Sequence, residues 1–101
     1  MANLTESEKN VNELFYKIGL DYIDSDITLS RNGKNIGQID GLFKIGDDYL
    51  FIIEVEEADI DTKKINTFFD KWSSDENIKL LFEKYNLLKN LKIINIFINT
   101  K

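Results

Sequence analysis

The segment Tyr49–Glu56, with the sequence YLFIIEVE, is apolar at neighbouring positions until it reaches its glutamates. Successive side chains of a strand point to opposite faces, so this segment would be buried on both faces as a strand. Strands of that kind lie at the centre of a sheet and are covered by helices. The segment therefore predicts a layered domain of helices and a sheet.

The remaining sequence supplies the helices and strands that such a centre needs. Thr5 and Glu8 have capping-box spacing at the start of a helix predicted over 5–19, and Gly19 would end it. Strands are predicted at 27–31, 36–45, 49–56 and 91–99, and further helices start at Asp61 or Thr62 and at a Ser73–Glu76 capping box. The order α-β-β-β-α-α-β predicts an α/β or α+β fold with a mixed central sheet flanked by helices.

Composition limits both the size and the chemistry of the protein. The 101 residues predict one domain over 1–101. The absence of Cys and His excludes disulfides, thiol nucleophiles, histidine triads and zinc sites built on these residues. Chemistry would rest on carboxylates, amines, hydroxyls, amides and the backbone, which favours a hard cation such as Mg²⁺.

The charge and hydropathy patterns bear on location and partners. No apolar run is long enough to span a membrane, and the first residues do not resemble a signal peptide, so we expect a cytoplasmic protein with no membrane partner. A net charge of −5 argues against a broad nucleic-acid-binding surface, although it leaves room for a local basic patch.

A hairpin between the second and third strands would bring acidic residues together. If Gly46-Asp47-Asp48 is the loop, Asp40 lies opposite Glu54 and Gln38 lies opposite Glu56. Opposed carboxylates repel one another, so a divalent cation between them would stabilise the pair. The alternative is an acidic strand face turned to solvent.

Regular alternation also predicts the two faces of the second strand. One face would carry Ile39, Gly41, Phe43 and Ile45, and the other would carry Gln38, Asp40, Leu42 and Lys44. Under this prediction Asp40 shares a face with Leu42.

The stretches Gly37–Phe43 (GQIDGLF) and Leu50–Glu56 (LFIIEVE) resemble the core of the PD-(D/E)XK, or restriction-endonuclease-like, nucleases, which include archaeal Holliday-junction resolvases. The resemblance spans nearly the whole chain and implies an αβββαβ core that hydrolyses DNA with Mg²⁺ or Mn²⁺. It implies that Asp40 and Glu54 bind the metal. Glu8 matches a family glutamate in the first helix, although its capping role also explains it.

One position departs from the family pattern, because Glu56 replaces the usual lysine two residues after Glu54. Glu56 could position or deprotonate the attacking water, and Gln38 could orient Glu56. Lys64, or its neighbour Lys63, could supply the missing positive charge from the next helix. The alternative for both lysines is a solvated helix face.

The leading prediction is a metal-dependent nuclease that is structure-selective or acts as a homodimer on DNA. The main alternative is a catalytically inactive binding or assembly module with the same fold. A third is a small domain of another α/β fold whose acidic hairpin faces water.

Overall fold

The computed structural model describes residues 5–87 and 90–100 of the chain. Its helices and strands follow the predicted order: α1 Glu6–Lys17, β1 Asp21–Arg31, β2 Lys34–Ile45, β3 Tyr49–Glu56, α2 Thr62–Trp72, α3 Asp75–Tyr85 and β4 Lys92–Asn99. The fold is thus a mixed α/β arrangement of three helices and a four-stranded sheet among the residues described.

The strands lie side by side in the order β1-β2-β3-β4. The first three are antiparallel neighbours joined by hairpins, and β4 is parallel to β3. A parallel neighbour requires a crossover, which α2 and α3 provide. Ile45 pairs with Tyr49, as predicted from the Gly46-Asp47-Asp48 loop.

Local sequence explains the first hairpin and the first helix. Asn32 and Gly33 both have positive φ, at 52° and 79°, as a two-residue type I′ turn requires. The predicted Thr5–Glu8 capping box is present, with both reciprocal hydrogen bonds formed. Gly19, at φ 99°, follows the C-cap residue Ile18.

The sheet is covered on both faces, as the apolar β3 predicts. On one face α2 and α3 pack over a core that contains Leu50, Ile52, Phe68, Trp72 and Leu81. On the other face α1 packs over a smaller core that contains Leu20, Phe43, Ile53 and Val55. The glutamates of β3 come directly after these buried positions.

The face prediction for β2 is wrong, because the strand does not alternate regularly. Ile39 and Leu42 both belong to the core under α2 and α3, whereas Phe43 belongs to the core under α1. The alternation is interrupted between Ile39 and Leu42, where Asp40 lies.

The neighbouring strand is irregular at the same level. Asp26 of β1 has a φ of 50° and lies between the pairs Ser25↔Gly41 and Ile27↔Ile39. The register of the two pairs is the same on both sides of this level. In both strands the side chains therefore switch faces at this level, so the pairing of β1 with β2 is preserved. Asp40 lies where the switch occurs.

Several predicted boundaries differ from the structure: the elements predicted over 5–19, 36–45 and 91–99 are Glu6–Lys17, Lys34–Ile45 and Lys92–Asn99. β1 begins at Asp21 rather than at Ile27, so six further residues, among them several aspartates, lie in the strand. The N-cap of α3 is Ser74, which makes no side-chain capping hydrogen bond, so the Ser73–Glu76 capping box is wrong. Ser73 instead ends α2. Among the residues described, no helix has the length and apolar character needed to cross a membrane.

Candidate active site

β2 and β3 separate at the end of their ladder, one pair before the predicted pairing of Asp40 with Glu54. The last cross-strand pair is Gly41↔Ile53. Beyond it, the side chain of Asp40 takes the place of a ladder partner, because its Oδ2 accepts a hydrogen bond from the backbone N–H of Val55 at 2.7 Å. The carboxyl of Asp40 is therefore held at the point where the strands separate.

Two neighbouring carboxyls interact with Asp40 there. The pKa of Asp40 is raised from 3.8 to about 7, chiefly by burial and next by the adjacent Glu54 carboxyl, against the opposing effects of Glu8 and of the Val55 N–H. The pKa of Glu8 is also raised, by burial and by the Asp40 carboxyl. The hairpin register predicted that Asp40 and Glu54 meet, and the family resemblance implied that Glu8 joins them. The structure brings the three carboxyls together.

Asn12 is a neighbour of Asp40 that the sequence analysis missed. Its side chain is 8% exposed, and its Nδ2 donates to the backbone carbonyl of Asp40 at 3.3 Å. Its Oδ1 lies over the Cα of Gly41 and has no hydrogen-bond partner among the residues described. An Asn four residues after Glu8, on the same side of the helix, was the available signal.

A cleft of about 560 Å³ opens beside these carboxyls, between the sheet and α2. Six predicted site residues line it: Glu8, Asp40, Glu54, Glu56, Lys63 and Lys64. Gln38 is exposed, pairs with Thr28 of β1, and is not among the lining residues. Within the described part of the chain no hydrogen bond joins Gln38 to Glu56, so nothing here supports an orienting role for Gln38.

Glu56 is instead held by α2. Lys64 Nζ donates to Glu56 Oε1 at 2.7 Å. This contact lowers the pKa of Glu56 and raises that of Lys64, so both groups are charged. The side chain of Asp61 caps α2 by accepting from the backbone N–H of Lys64 at 2.8 Å, which fixes the start of the helix beside Glu56.

The donor set suits a hard cation. Among residues 5–87 and 90–100, no group of three or more acidic side chains is arranged to hold a metal ion. Asp40 and Glu54 nevertheless offer two adjacent carboxyls at one point, and Mg²⁺ usually takes only one or two protein carboxylates, with water and substrate phosphate completing its shell. The Glu54 carboxyl is the second cause, after burial, of the raised pKa of Asp40, and a bound cation would offset the repulsion between the two carboxylates.

No family model, curated protein or solved structure matches this chain. Its function must therefore be inferred from the cleft itself, which is lined by the paired carboxyls of Asp40 and Glu54 and by Lys64. Such a combination can bind a cation and a phosphate together.

Proposed function

We propose that this protein is a metal-dependent nuclease with a restriction-endonuclease-like core that hydrolyses phosphodiester bonds of DNA. The observation that carries the proposal is the contact of Asp40 with Glu54 where β2 and β3 separate, at one end of a cleft that also contains Lys64. The order of helices and strands and the mixed sheet agree with that core.

In this proposal Asp40 and Glu54 hold Mg²⁺ or Mn²⁺. When bound, the cation supplies Lewis-acid stabilisation of the negative charge that develops on the reacting phosphate. The backbone N–H of Val55 and the amide of Asn12 hold Asp40 from two sides. These two contacts keep the Asp40 carboxyl directed into the cleft at the point where β2 and β3 are no longer paired.

Lys64 takes the place of the lysine that the resemblance leads one to expect after Glu54. Its ammonium lies at the cleft and would donate to a phosphate oxygen or orient the attacking water. Because its pKa is lowered, Glu56 is a poor general base. Its proposed role is to position Lys64, whose Nζ lies 2.7 Å from Glu56 Oε1. This assignment replaces the sequence-based role of Glu56 as the base.

The expected substrate is DNA gripped through its backbone. The cleft is acidic without a cation, so phosphate binding should depend on the metal. The described residues form a single sheet with its covering helices, which offers little surface for reading a duplex sequence. Structure-selective cutting, or action as a homodimer, is therefore part of the proposal, and a mass measurement in solution tests the dimer.

The decisive experiment compares cleavage of branched, single-stranded and duplex DNA with Mg²⁺ or Mn²⁺. Asp40→Asn and Glu54→Gln should abolish cleavage, whereas Asp48→Asn, an exposed change in the neighbouring turn, should not. Cleavage that persists in both cleft variants would refute the assignment.

A second function has specific support. The net charge of −5, the single arginine Arg31 and the Glu56 replacement favour an inactive binding or assembly module on the same scaffold. Metal binding without cleavage of any of the three DNA forms would favour this module.

A further inference from the structure

The wall of the cleft formed by α2 carries lysines, in contrast to the acidic side formed by Glu8, Asp40 and Glu54. Lys64, Thr67 and Lys71 all line the cleft. Their spacing of three and four residues places them on one face of the helix. At a rise of about 1.5 Å per residue, Lys64 and Lys71 are about 10 Å apart along the helix axis. The cleft therefore continues well beyond the acidic pair.

Lys71 is held in place by packing rather than by an ion pair. A Cβ atom at Gly37 would lie 2.6 Å from Lys71 Cδ and 2.9 Å from the ring of Trp72, so the lysine stem runs across bare glycine backbone. Lys71 is half-buried. Within residues 5–87 and 90–100 its ammonium forms no salt bridge, in contrast to that of Lys64.

A lysine whose stem is packed, and whose ammonium forms no salt bridge in the described part of the chain, is well suited to bind an anion. The lysine stem has already lost part of its conformational freedom through packing, so less entropy is lost when its head binds a ligand. Thr67, one helical turn before Lys71, is exposed in the same cleft and can donate a hydroxyl hydrogen bond. An ammonium and a hydroxyl on one helix face match the acceptor oxygens of a phosphate.

We propose that Lys71 and Thr67 bind a backbone phosphate that neighbours the reacting one on the same DNA strand. This inference rests on the proposed nuclease function and extends its site along α2. Gly37, over which Lys71 packs, precedes Asp40 by three residues of β2, or about 10 Å of strand. The phosphate at Lys71 is therefore distinct from the one at Asp40, and its recognition is independent of base sequence.

The test measures affinity rather than cleavage. A short fluorescein-labelled single-stranded oligonucleotide is titrated by fluorescence anisotropy in Ca²⁺, over a series of salt concentrations. Lys71→Gln should weaken binding roughly tenfold, since it removes one charged hydrogen bond. The slope of log K against log salt should fall in magnitude by about 0.7, the value for one phosphate contact on a single strand.

Two further variants sharpen the test. Lys79→Gln removes an exposed lysine from α3, outside this cleft, and should leave affinity and slope unchanged. Thr67→Val should weaken binding without changing the slope, because no charge is lost. A thermal melt would reveal whether Lys71→Gln disturbs the packing on Gly37. In that case Thr67→Val tests the phosphate site without changing this packing.

The outcomes separate this inference from the nuclease proposal. Wild-type affinity and slope in Lys71→Gln, or equal losses in Lys71→Gln and Lys79→Gln, would overturn the phosphate site even if the protein cleaves DNA. Selective loss in Lys71→Gln would support the site. Cleavage by the wild-type protein decides the nuclease proposal independently, and failure of the wild type to bind the oligonucleotide would overturn the site as well.

Discussion

Asp40 and Val55 are joined by a hydrogen bond of 2.7 Å in which the side chain of one strand accepts the backbone N–H of the next. The bond forms just beyond the last cross-strand pair, so it continues the connection between β2 and β3 after the ladder ends. The same carboxyl has a pKa of about 7, chiefly because it is buried. The hydrogen bond from Val55 lowers this pKa, but burial outweighs it, so the group that connects the strands is also difficult to ionise.

The first prediction concerns stability and pH in the absence of metal. Because the folded-state pKa of Asp40 lies above its ordinary 3.8, its contribution to the free energy of unfolding is fully present below about pH 4 and is lost as the pH rises through about 7. Asp40→Asn carries no charge and keeps an acceptor for Val55. We expect it to be more stable than the wild type at about pH 8, by a clearly smaller margin at about pH 5.

Thermal melts at the two pH values measure this difference. Asp48→Asn, in the exposed turn between β2 and β3, is the control and should show no such pH-dependent gain. A stability difference between Asp40→Asn and the wild type that is equal at both pH values would contradict the prediction.

The second prediction concerns metal binding. A ligand that binds only the folded state stabilises it by RT ln(1 + [L]/Kd), or about 2.7 kcal/mol at a hundredfold excess over Kd. Mn²⁺ should therefore raise the melting temperature of the wild type, and Glu54→Gln should remove most of that increase. Glu57→Gln, just beyond β3 and exposed, is the matched control and should respond as the wild type does. The site would be excluded by an unchanged melting temperature at millimolar Mn²⁺.

The third prediction separates two neighbouring lysines. Lys64 is held by Glu56, whereas Lys63 also lines the cleft but forms no salt bridge within the residues described. Lys64→Gln should lower kcat for DNA cleavage by about 100-fold, the usual effect of removing one preorganised donor. Its stability should change little, because exposed ion pairs contribute about 0–1 kcal/mol.

Lys63→Gln is the comparison for this prediction, and it should change KM more than kcat. Glu56→Gln should lower kcat by less than Lys64→Gln, since it releases the ammonium without removing it. Equal kcat values for Lys64→Gln and Lys63→Gln would show that the held ammonium has no special part in the reaction.

The fourth prediction concerns the contact of α1 with β2. A Cβ on Gly41 would collide with Asn12 Oδ1, so Gly41→Ala should destabilise the fold by about 1–3 kcal/mol, the usual range for overpacking. Shortening the partner relieves the collision, so the double variant Asn12→Ala/Gly41→Ala should lose less than the sum of the single losses. Chemical denaturation of all four proteins gives the coupling energy, and additive losses would argue against this contact.

The sequence predicted the elements that depend on local patterns. β3 was identified from its unbroken apolar run, and its pairing with β2 followed from the short loop between them. The capping box of α1 needed only Thr5 and Glu8 at the right spacing. These features are determined by residues close in sequence, so a single amino-acid sequence is enough to predict them.

Tertiary contacts determined the rest. The first half of β1 is rich in aspartate, which is unfavourable in strands. It is a strand through its pairing with β2 and through the hydrogen bond that the Tyr85 hydroxyl of α3 donates to Asp24 Oδ2 at 2.7 Å. The roles of Asn12 and Lys71 depend on glycines in β2 that let helices approach the sheet. No local pattern marks such long-range contacts.

The shared irregularity of β1 and β2 limits how the site could be transferred to another protein. In a regularly alternating strand, Ile39 and Leu42 would point to opposite faces, because they are three residues apart. They could not then both lie under the same helices. Grafting the acidic side chains alone would therefore turn a carboxylate away from its partners or expose a core residue to water. A designer who wished to rebuild this cleft would have to copy the backbone around Asp26 and Asp40 first and choose the side chains afterwards.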